Sequence, residues 1–424
     1  KLQKRLVRLY ESAPYYRELF DREKINIHSI KTFEDLRKAV PHQTKSDWRA
    51  VVERFDGDML AAIDYMTPVD PRTDLQLITS TSGTTGEPQP YPMTSRDLWD
   101  IAAEVRARYF WRMGIRPTDR ILHGYGLSMV FAGIPVIAGA FKLGAMIIPV
   151  GAEAGTERML RNAMYYKPNV LVGTPSLATY LIEKTPQVLG FGVDKLGIKI
   201  IGCSGEPGAG IPEIRRRIES AYGARLYDSG AAMGVSCSHP EYQGMHNVGD
   251  DFAIVEVIDP ETKAPLPFEN GQRGEMLLTF IDGDAWLGMR YSTGDLIEIY
   301  TDPCPCGLSG FRYKVVGRID NMLKVKGVIV YPEAIDKVIA SFVPRVTGEF
   351  RIVLDNPPPR VEPPLKLKVE YGEGTAEEQV EQLHQQLLQA MHDKLRIRPQ
   401  ITWLKPGTLE RSTYKGKVFE KTYE

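Results

Sequence analysis

Four short apolar runs punctuate the first half of the chain: RILHGYG (120–126), AMIIPVG (145–151), NVLVGTP (169–175) and IKIIGCS (198–204). Each reads as a buried strand that gives way to Gly or Ser. Segments with helical spacing, such as Thr156–Tyr166 and Ser176–Lys184, separate them. Strands alternating with helices predict a largely parallel α/β sheet, whose ligands sit beyond the carboxyl ends of the strands. From about Phe252 the pattern changes to FAIVEVID and GEMLLTFI, which predict a smaller, more antiparallel β portion. Another unit begins near Gly317. MLKVKGVIV and a helix over Pro332–Phe342 are followed by RIVLD, a proline-rich loop (356–364) and LKLKVEY. Val380, Leu383, Leu387, Met391 and Leu395 then recur on one helical stripe, which packing against a small sheet explains. The expected fold is α/β, with a large N-terminal α/β domain over 1–319 and a small α+β domain over 320–424.

Composition narrows the class without naming a reaction. The chain has 424 residues, enough for two or three domains, and 43% hydrophobic content, enough for a large core. Lys and Arg (53) nearly balance Asp and Glu (54), so no global field recruits nucleic acid or an anionic membrane. No apolar run approaches the ~20 residues that span a bilayer, and the start, KLQKRLVRLYESAPYYREL, lacks a signal-peptide core. Four cysteines in so long a chain are no disulfide scaffold, and a reducing cytoplasm is the expected location.

The richest chemistry lies in Thr79-Ser-Thr-Ser-Gly-Thr-Thr-Gly-Glu-Pro88, after the strand-like LQLIT. Gly83 and Gly86 can turn backbone N–H groups into one concavity, and Ser82, Thr84 and Thr85 add hydroxyl donors suited to phosphate oxygens. The bland alternative is a polar linker. No G-x-x-x-x-G-K-[ST] occurs, which argues against a P-loop kinase or GTPase. Gly205-Glu-Pro-Gly-Ala-Gly210 superficially resembles a dinucleotide fingerprint, but its spacing is G-x-x-G-x-G and no strand with a terminal acid follows. That leaves a nicotinamide-dependent dehydrogenase as a weak competitor.

The S-G-T-T-G-x-P loop resembles the phosphate loop of the adenylate-forming acyl-CoA synthetases, luciferases and peptide-synthetase adenylation domains, and the phenylacetate-CoA ligase branch in particular. APYYREL (13–19), HGYGL (123–127), PVGAEAGTER (149–158), GTPS (173–176), DPETKAPLP, RYSTGDL, DPCPCG and VGRIDNMLKVKGVIVYPEAI follow in the family's order. The resemblance implies a two-step reaction. A carboxylate attacks the α-phosphate of ATP to give acyl-AMP and pyrophosphate; the CoA thiol then attacks the acyl carbon and expels AMP. It also implies Mg²⁺, ATP, CoA and a small carboxylic acid as partners, with no nucleic acid or membrane, and leaves a homodimer open. The small domain would be mobile, turning about Asp320 between the half-reactions, and Gly327 would face CoA.

By the same resemblance Asp295 binds both ribose hydroxyls, a task one carboxylate can perform. Arg318 reaches the nucleotide, Asp228 with Ser229 meets the adenine amino group, and Gly205-Glu206-Pro207 packs on adenine. The catalytic lysine lies in Glu410-Arg-Ser-Thr-Tyr-Lys-Gly-Lys417. The offset from Arg411 points to Lys415, whereas a G-K reading points to Lys417. Tyr125, Gly126, Met129, Gly151 and Ala152 would line the acyl pocket, where an aromatic side chain and small walls suit a flat ring. An aryl or arylacetic acid is therefore the expected substrate, and core packing of Tyr125 is the competing reading. His123 and Cys203 read as packed residues at strand ends.

The sequence departs from the family in three ways. Asp228-Ser-Gly-Ala-Ala-Met-Gly234 lacks the acid that usually holds Mg²⁺, so water, phosphate or another acid such as Glu241 must serve. Glu87 replaces the usual lysine of the phosphate loop. Both losses keep a degenerate nucleotide-binding homologue open, and a carrier-protein thiol remains an alternative acceptor. Cys304-Pro-Cys306 and Cys237-Ser-His239, with His246 nearby, offer soft ligands for a structural Zn²⁺, the expected set being Cys237, His239 (or His246), Cys304 and Cys306.

Overall fold

The computed structural model describes residues 1–80, 89–285, 288–411 and 418–423. Helices Leu2–Ser12, Pro14–Arg22, Phe33–Ala39, Lys45–Arg54 and Met59–Met66 open the chain and bury Leu6, Tyr16, Phe20, Trp48 and Ile63. Sequence reading had no element here. The fourth helix starts where the Asp47 carboxylate accepts the Thr44 N–H at 2.7 Å, an acid in the first turn capping its own N-terminus. That cap fixes the root of Lys45, which matters below.

The four expected strands form as Arg120–His123, Met146–Ile148, Val170–Gly173 and Ile200–Cys203, and Arg225–Gly230 joins them, all parallel. Alternation along each strand sends side chains to two faces. Ile121, Val170 and Val172 pack towards helices Ala103–Met113 and Ile134–Leu143. Leu122, Leu171 and Ile201 pack towards Thr156–Tyr166, Pro175–Leu189 and Pro212–Tyr222. Helices therefore cover both faces of the sheet, as parallel strands require.

The antiparallel strands beyond Phe252 are not a separate β portion. Gly234–Ser236 pairs antiparallel to Arg225–Gly230, and the ladder continues through Met245–Asn247, Arg312–Arg318, Tyr291–Tyr300, Arg273–Phe280 and Ala253–Ile258. One eleven-stranded sheet results. Short returns such as Gly230 to Gly234 leave no room for a crossover helix, so the strands must reverse.

The last hundred residues build their own core around Leu323, Val338, Ile352, Leu367, Leu387 and Met391. Helix Glu377–Leu395 lies with Leu383, Leu387 and Met391 buried, as its stripe predicts. The proline-rich loop contains a short strand, Arg360–Val361, parallel to Leu323–Val325. Among the described residues no helix is long and apolar enough to cross a membrane.

Candidate active site

Loops leaving the carboxyl ends of the parallel strands meet the antiparallel half of the sheet around a cavity of about 1510 Å³. Gly205, Glu206, Pro207, Asp228, Ser229, Asp295, Arg318 and Asp320 all line it. Residues from four separate stretches of sequence thus face one space.

The acids and cations of this space are arranged in a line. Asp295 and Arg318 are register partners on adjacent antiparallel strands, and Arg318 Nη1 donates to Asp295 Oδ1. Arg318 Nη2 also reaches Thr293 O and Asp320 Oδ2, both at 3.2 Å. Lys45 Nζ meets the same Asp320 oxygen at 3.1 Å. Burial would raise the Asp320 carboxyl, but Lys45 and Arg318 outweigh it and hold the group below the usual range. Gly294, at φ +77°, makes room for this pair: a Cβ there would stand 2.9 Å from Arg318 Nη2.

On the other wall, Ser176 N–H donates to Glu206 Oε1 at 2.7 Å, which ties the Gly205–Pro207 loop to the start of helix Pro175–Leu189. Tyr242 Oη donates to Asp228 Oδ2 at 2.6 Å. Burial pushes the Asp228 carboxyl up to about 6 even though this hydrogen bond pulls it down. Glu241 lines the cavity beside Tyr242.

Ser82, Gly83, Thr84, Thr85 and Gly86, together with Glu87, Lys415 and Lys417, lie outside the described residues. Their neighbours are informative. Ser80 and Gln89 both line the cavity, and Tyr291 Oη donates to Gln89. Val418 and Phe419 line it too, and strand Phe419–Lys421 runs parallel to Val346–Leu354. Arg411 is held by Glu370 at 2.8 Å.

The residues expected to bind the acyl group lie beside this cavity rather than on its wall. Tyr125, Gly126, Met129, Gly151 and Ala152 are not part of the cavity wall. Tyr125 is 3% exposed and sits behind Ser204, whose Oγ donates to its hydroxyl at 2.8 Å. Gly126 and Gly151 pack on the Glu153 side chain, which accepts the N–H groups of Leu127 and Ser128. Met129 is exposed. The loop these residues shape delivers Val130, Phe131 and Ala132 to the cavity instead, so the motif organises the wall from behind. Burial lowers the pKa of His123 to about 4, and it is a packed neutral residue. Cys203 is buried in the core between sheet and helices. Gly327 turns between Leu323–Val325 and Val328–Val330, away from the cavity wall.

Three of the four expected metal ligands converge, and the histidine is His246 rather than His239. Ligand atoms of Cys237, His246, Cys304 and Cys306 all lie within 4.8 Å of one another. Cys237 Sγ is 3.9 Å from Cys304 Sγ, and Cys306 Sγ is 3.4 Å from His246 Nε2. Tetrahedral bonds of ~2.3 Å to sulfur and ~2.0 Å to nitrogen place ligand atoms about 3.5–3.8 Å apart, so the donor set fits zinc. His239 turns away, its Nδ1 engaged with the backbone of Glu241. C-x-H suggested a local pair, but Met245–Asn247 lies next to Arg312–Arg318 in the sheet and carries His246 to the Cys304–Cys306 turn.

Sequence reading missed Lys45, Arg106, Tyr242 and Glu333. Each lines the cavity; no local motif marks Lys45, Arg106 or Tyr242, and Glu333 stands in the VYPEAI end of a family motif without a role read for it.

The comparisons agree with this geometry. The family model for "AMP-binding enzyme" matches residues 16–281, and the one for "AMP-binding enzyme C-terminal domain" matches 327–421. The phenylacetate-coenzyme A ligase of Thermus thermophilus is 28% identical, covering 97% of this chain and 92% of the relative. That of Escherichia coli K12 is 28% identical over 81% of this chain and 75% of its own. Among solved structures, 2-hydroxyisobutyryl-CoA ligase in its postadenylation state, bound to R3-HIB-AMP, superposes with a TM-score of 0.87 at 27% identity, covering 99% of this chain and 88% of that one. In its thioesterification state, with CoA, it gives 0.67 at 28% identity, over 100% and 88%. With two family models spanning most of its length and one cavity gathering the family's motif residues, the chain belongs to the AMP-binding enzymes.

Proposed function

We propose that this protein is an ATP-dependent, AMP-forming ligase that activates an aromatic carboxylic acid as acyl-AMP and transfers it to coenzyme A. The carrying observation is that the Asp295–Arg318 pair and the Gly205–Pro207 loop with Asp228 face each other across one cavity. The phenylacetate-coenzyme A ligase relatives and the CoA-bound ligase structure support the acid and the thiol.

Bringing a carboxylate to a polyanion requires fixed donors and cations. MgATP is the substrate. In this reading Asp295 accepts both ribose hydroxyls while Arg318 holds its charge in place, and Asp228 meets the adenine amino group. The hydroxyls and N–H groups around Gly83–Gly86 bind the phosphates. Lys415, a compact ammonium on a flexible stem, bridges the attacking carboxylate and the α-phosphate. The parts 1–319 and 320–424 turn about Asp320 between the half-reactions. The contrast between TM-scores of 0.87 and 0.67 for two states of one relative supports the adenylating arrangement here. Cys237, His246, Cys304 and Cys306 hold a structural zinc that braces the Tyr242 loop. Four unpaired cysteines suit a reducing cytoplasm.

ATP–pyrophosphate exchange over a panel of aryl and arylacetic acids tests the reading. Exchange is expected with at least one acid, and Lys415→Ala should lower it at least ~100-fold by removing a transition-state charge. Absence of exchange with every acid would make the chain a degenerate nucleotide binder. Normal exchange in Lys415→Ala with loss in Lys417→Ala would move the catalytic role two residues on.

A further inference from the structure

One wall of the cavity contains a cation that no anion among the described residues meets. Arg106 lies on helix Ala103–Met113, is 9% exposed and lines the cavity. Among the described residues no carboxylate or carbonyl receives its guanidinium. Its surroundings are aromatic: the charge centre is 5.0 Å from the Phe131 ring centroid and 5.8 Å from that of Tyr109. Burial lowers its pKa, and among the described residues Tyr109 and Tyr125 oppose the shift. A buried cation without an anion is costly, and natural cores pair it or replace it. Its root is fixed, because helix Ile134–Leu143 passes so close at Gly139 that a Cβ there would sit 2.3 Å from Arg106 Cβ.

Arg106 also stands apart from the nucleotide groups. Tyr91 feels Asp295 and Arg318 electrostatically, and its ring packs on Phe131 at 4.8 Å. Phe131 in turn stacks under Arg106. Two rings therefore separate the charge from the ribose acid. Met233, Leu278 and Phe280 line the same cavity, and an ion pair formed against apolar walls is stronger than one in water.

We propose that the acyl substrate carries a second anionic group, a carboxylate on its aromatic ring, and that Arg106 is the specificity residue that receives it. The flat ring would lie against Phe131 and Tyr91, with one carboxyl directed to the α-phosphate and the other to the guanidinium fork. The inference rests on the ligase reading and sharpens its substrate class from aromatic acid to aromatic diacid.

The test is pyrophosphate exchange with phenylacetate and its ortho-, meta- and para-carboxy derivatives, on the wild type, Arg106→Lys and Arg106→Met. The wild type should favour at least one diacid over phenylacetate by ~100-fold in kcat/KM, since a site built for a polar group rejects the analogue lacking it. Arg106→Met should lose that preference, improve on phenylacetate and keep its KM for ATP, with Arg106→Lys intermediate. Because no described carboxylate pairs with the guanidinium, Arg106→Met should melt at or above the wild type. Exchange with phenylacetate but none of the diacids would overturn the proposal and leave the ligase intact. So would a raised KM for ATP in Arg106→Met, which would make the residue a phosphate ligand, or a fall in melting temperature beyond ~5 °C, which would make it a structural cation. Absence of exchange with all four acids and the wider panel would overturn the ligase reading itself.

Discussion

Asp295 serves two masters. It pairs with Arg318 across the ladder, and in the proposed complex it also accepts the ribose diol. Asparagine in its place keeps the shape but supplies one acceptor oxygen and no charge. Asp295→Asn should raise KM for ATP and cut kcat/KM for exchange about 100-fold, as loss of charge-assisted bonds does. Melting temperature and the KM for the acid should stay near wild type, which steady-state exchange and calorimetry can check. Asp295 and Arg318 were both legible in the sequence because each lies in a contiguous motif, and strand pairing then brings the motifs together. Lys45 and Arg106 were not legible. Lys45 finds Asp320 across 275 positions, and Arg106 looks like any arginine on an amphipathic helix until its missing partner is seen. Tyr125 is buried behind the wall and accepts a hydrogen bond from Ser204, a placement that its motif alone does not reveal.

Elements gain meaning from what they carry into register. Strand Met245–Asn247 is three residues long, yet it brings His246 to the turn holding Cys304 and Cys306, and Cys237 follows strand Gly234–Ser236. The loop between these two strands carries Tyr242 to Asp228. Purified protein should contain close to one zinc per chain, and less than ~0.2 by elemental analysis would remove the metal from the account. Stripping it with a strong chelator, or Cys306→Ser, should lower the melting temperature by ~5 °C or more, as loss of a structural metal does. KM for ATP should rise with it, because the Tyr242 loop loses its brace. The two short Cys motifs were visible in the sequence, but the choice of histidine was not, since it depends on sheet order rather than spacing.

At the scale of the molecule, helix Pro332–Ala340 turns an acidic face to the nucleotide side of the cavity. Burial pushes Asp336 up to about 7, with Glu206, Glu349 and Glu333 adding to the effect. Burial likewise raises Glu333 to about 7, Arg318 opposing and Asp295 reinforcing the shift. In the proposed open arrangement, with the small part swung away, both acids would return to ordinary values of ~4. An acid whose pKa is higher in one arrangement stabilises that arrangement at low pH. Its contribution is complete below ~4 and is lost as pH rises through about 7. The adenylating arrangement should therefore dominate at pH 5.5 and give way by pH 8, read as an increase in radius of gyration by small-angle scattering. Asp336→Asn should blunt the change, and a radius independent of pH would refute the acidic-face account. The separate apolar core of the last hundred residues was legible from the stripe of Glu377–Leu395. The acidic contact was not, because it exists only where the two parts meet.

The strand Arg312–Arg318 runs without interruption into the turn Ile319–Asn321. Arg318 thus clasps Asp295, the acid proposed to bind the sugar, with one nitrogen and Asp320, the proposed pivot, with another. In the proposed cycle, any tug on Asp295 by an arriving or departing nucleotide would be felt at Asp320 through a single side chain. Such a machine needs no transmission: the hand that holds the nucleotide is already gripping the crank.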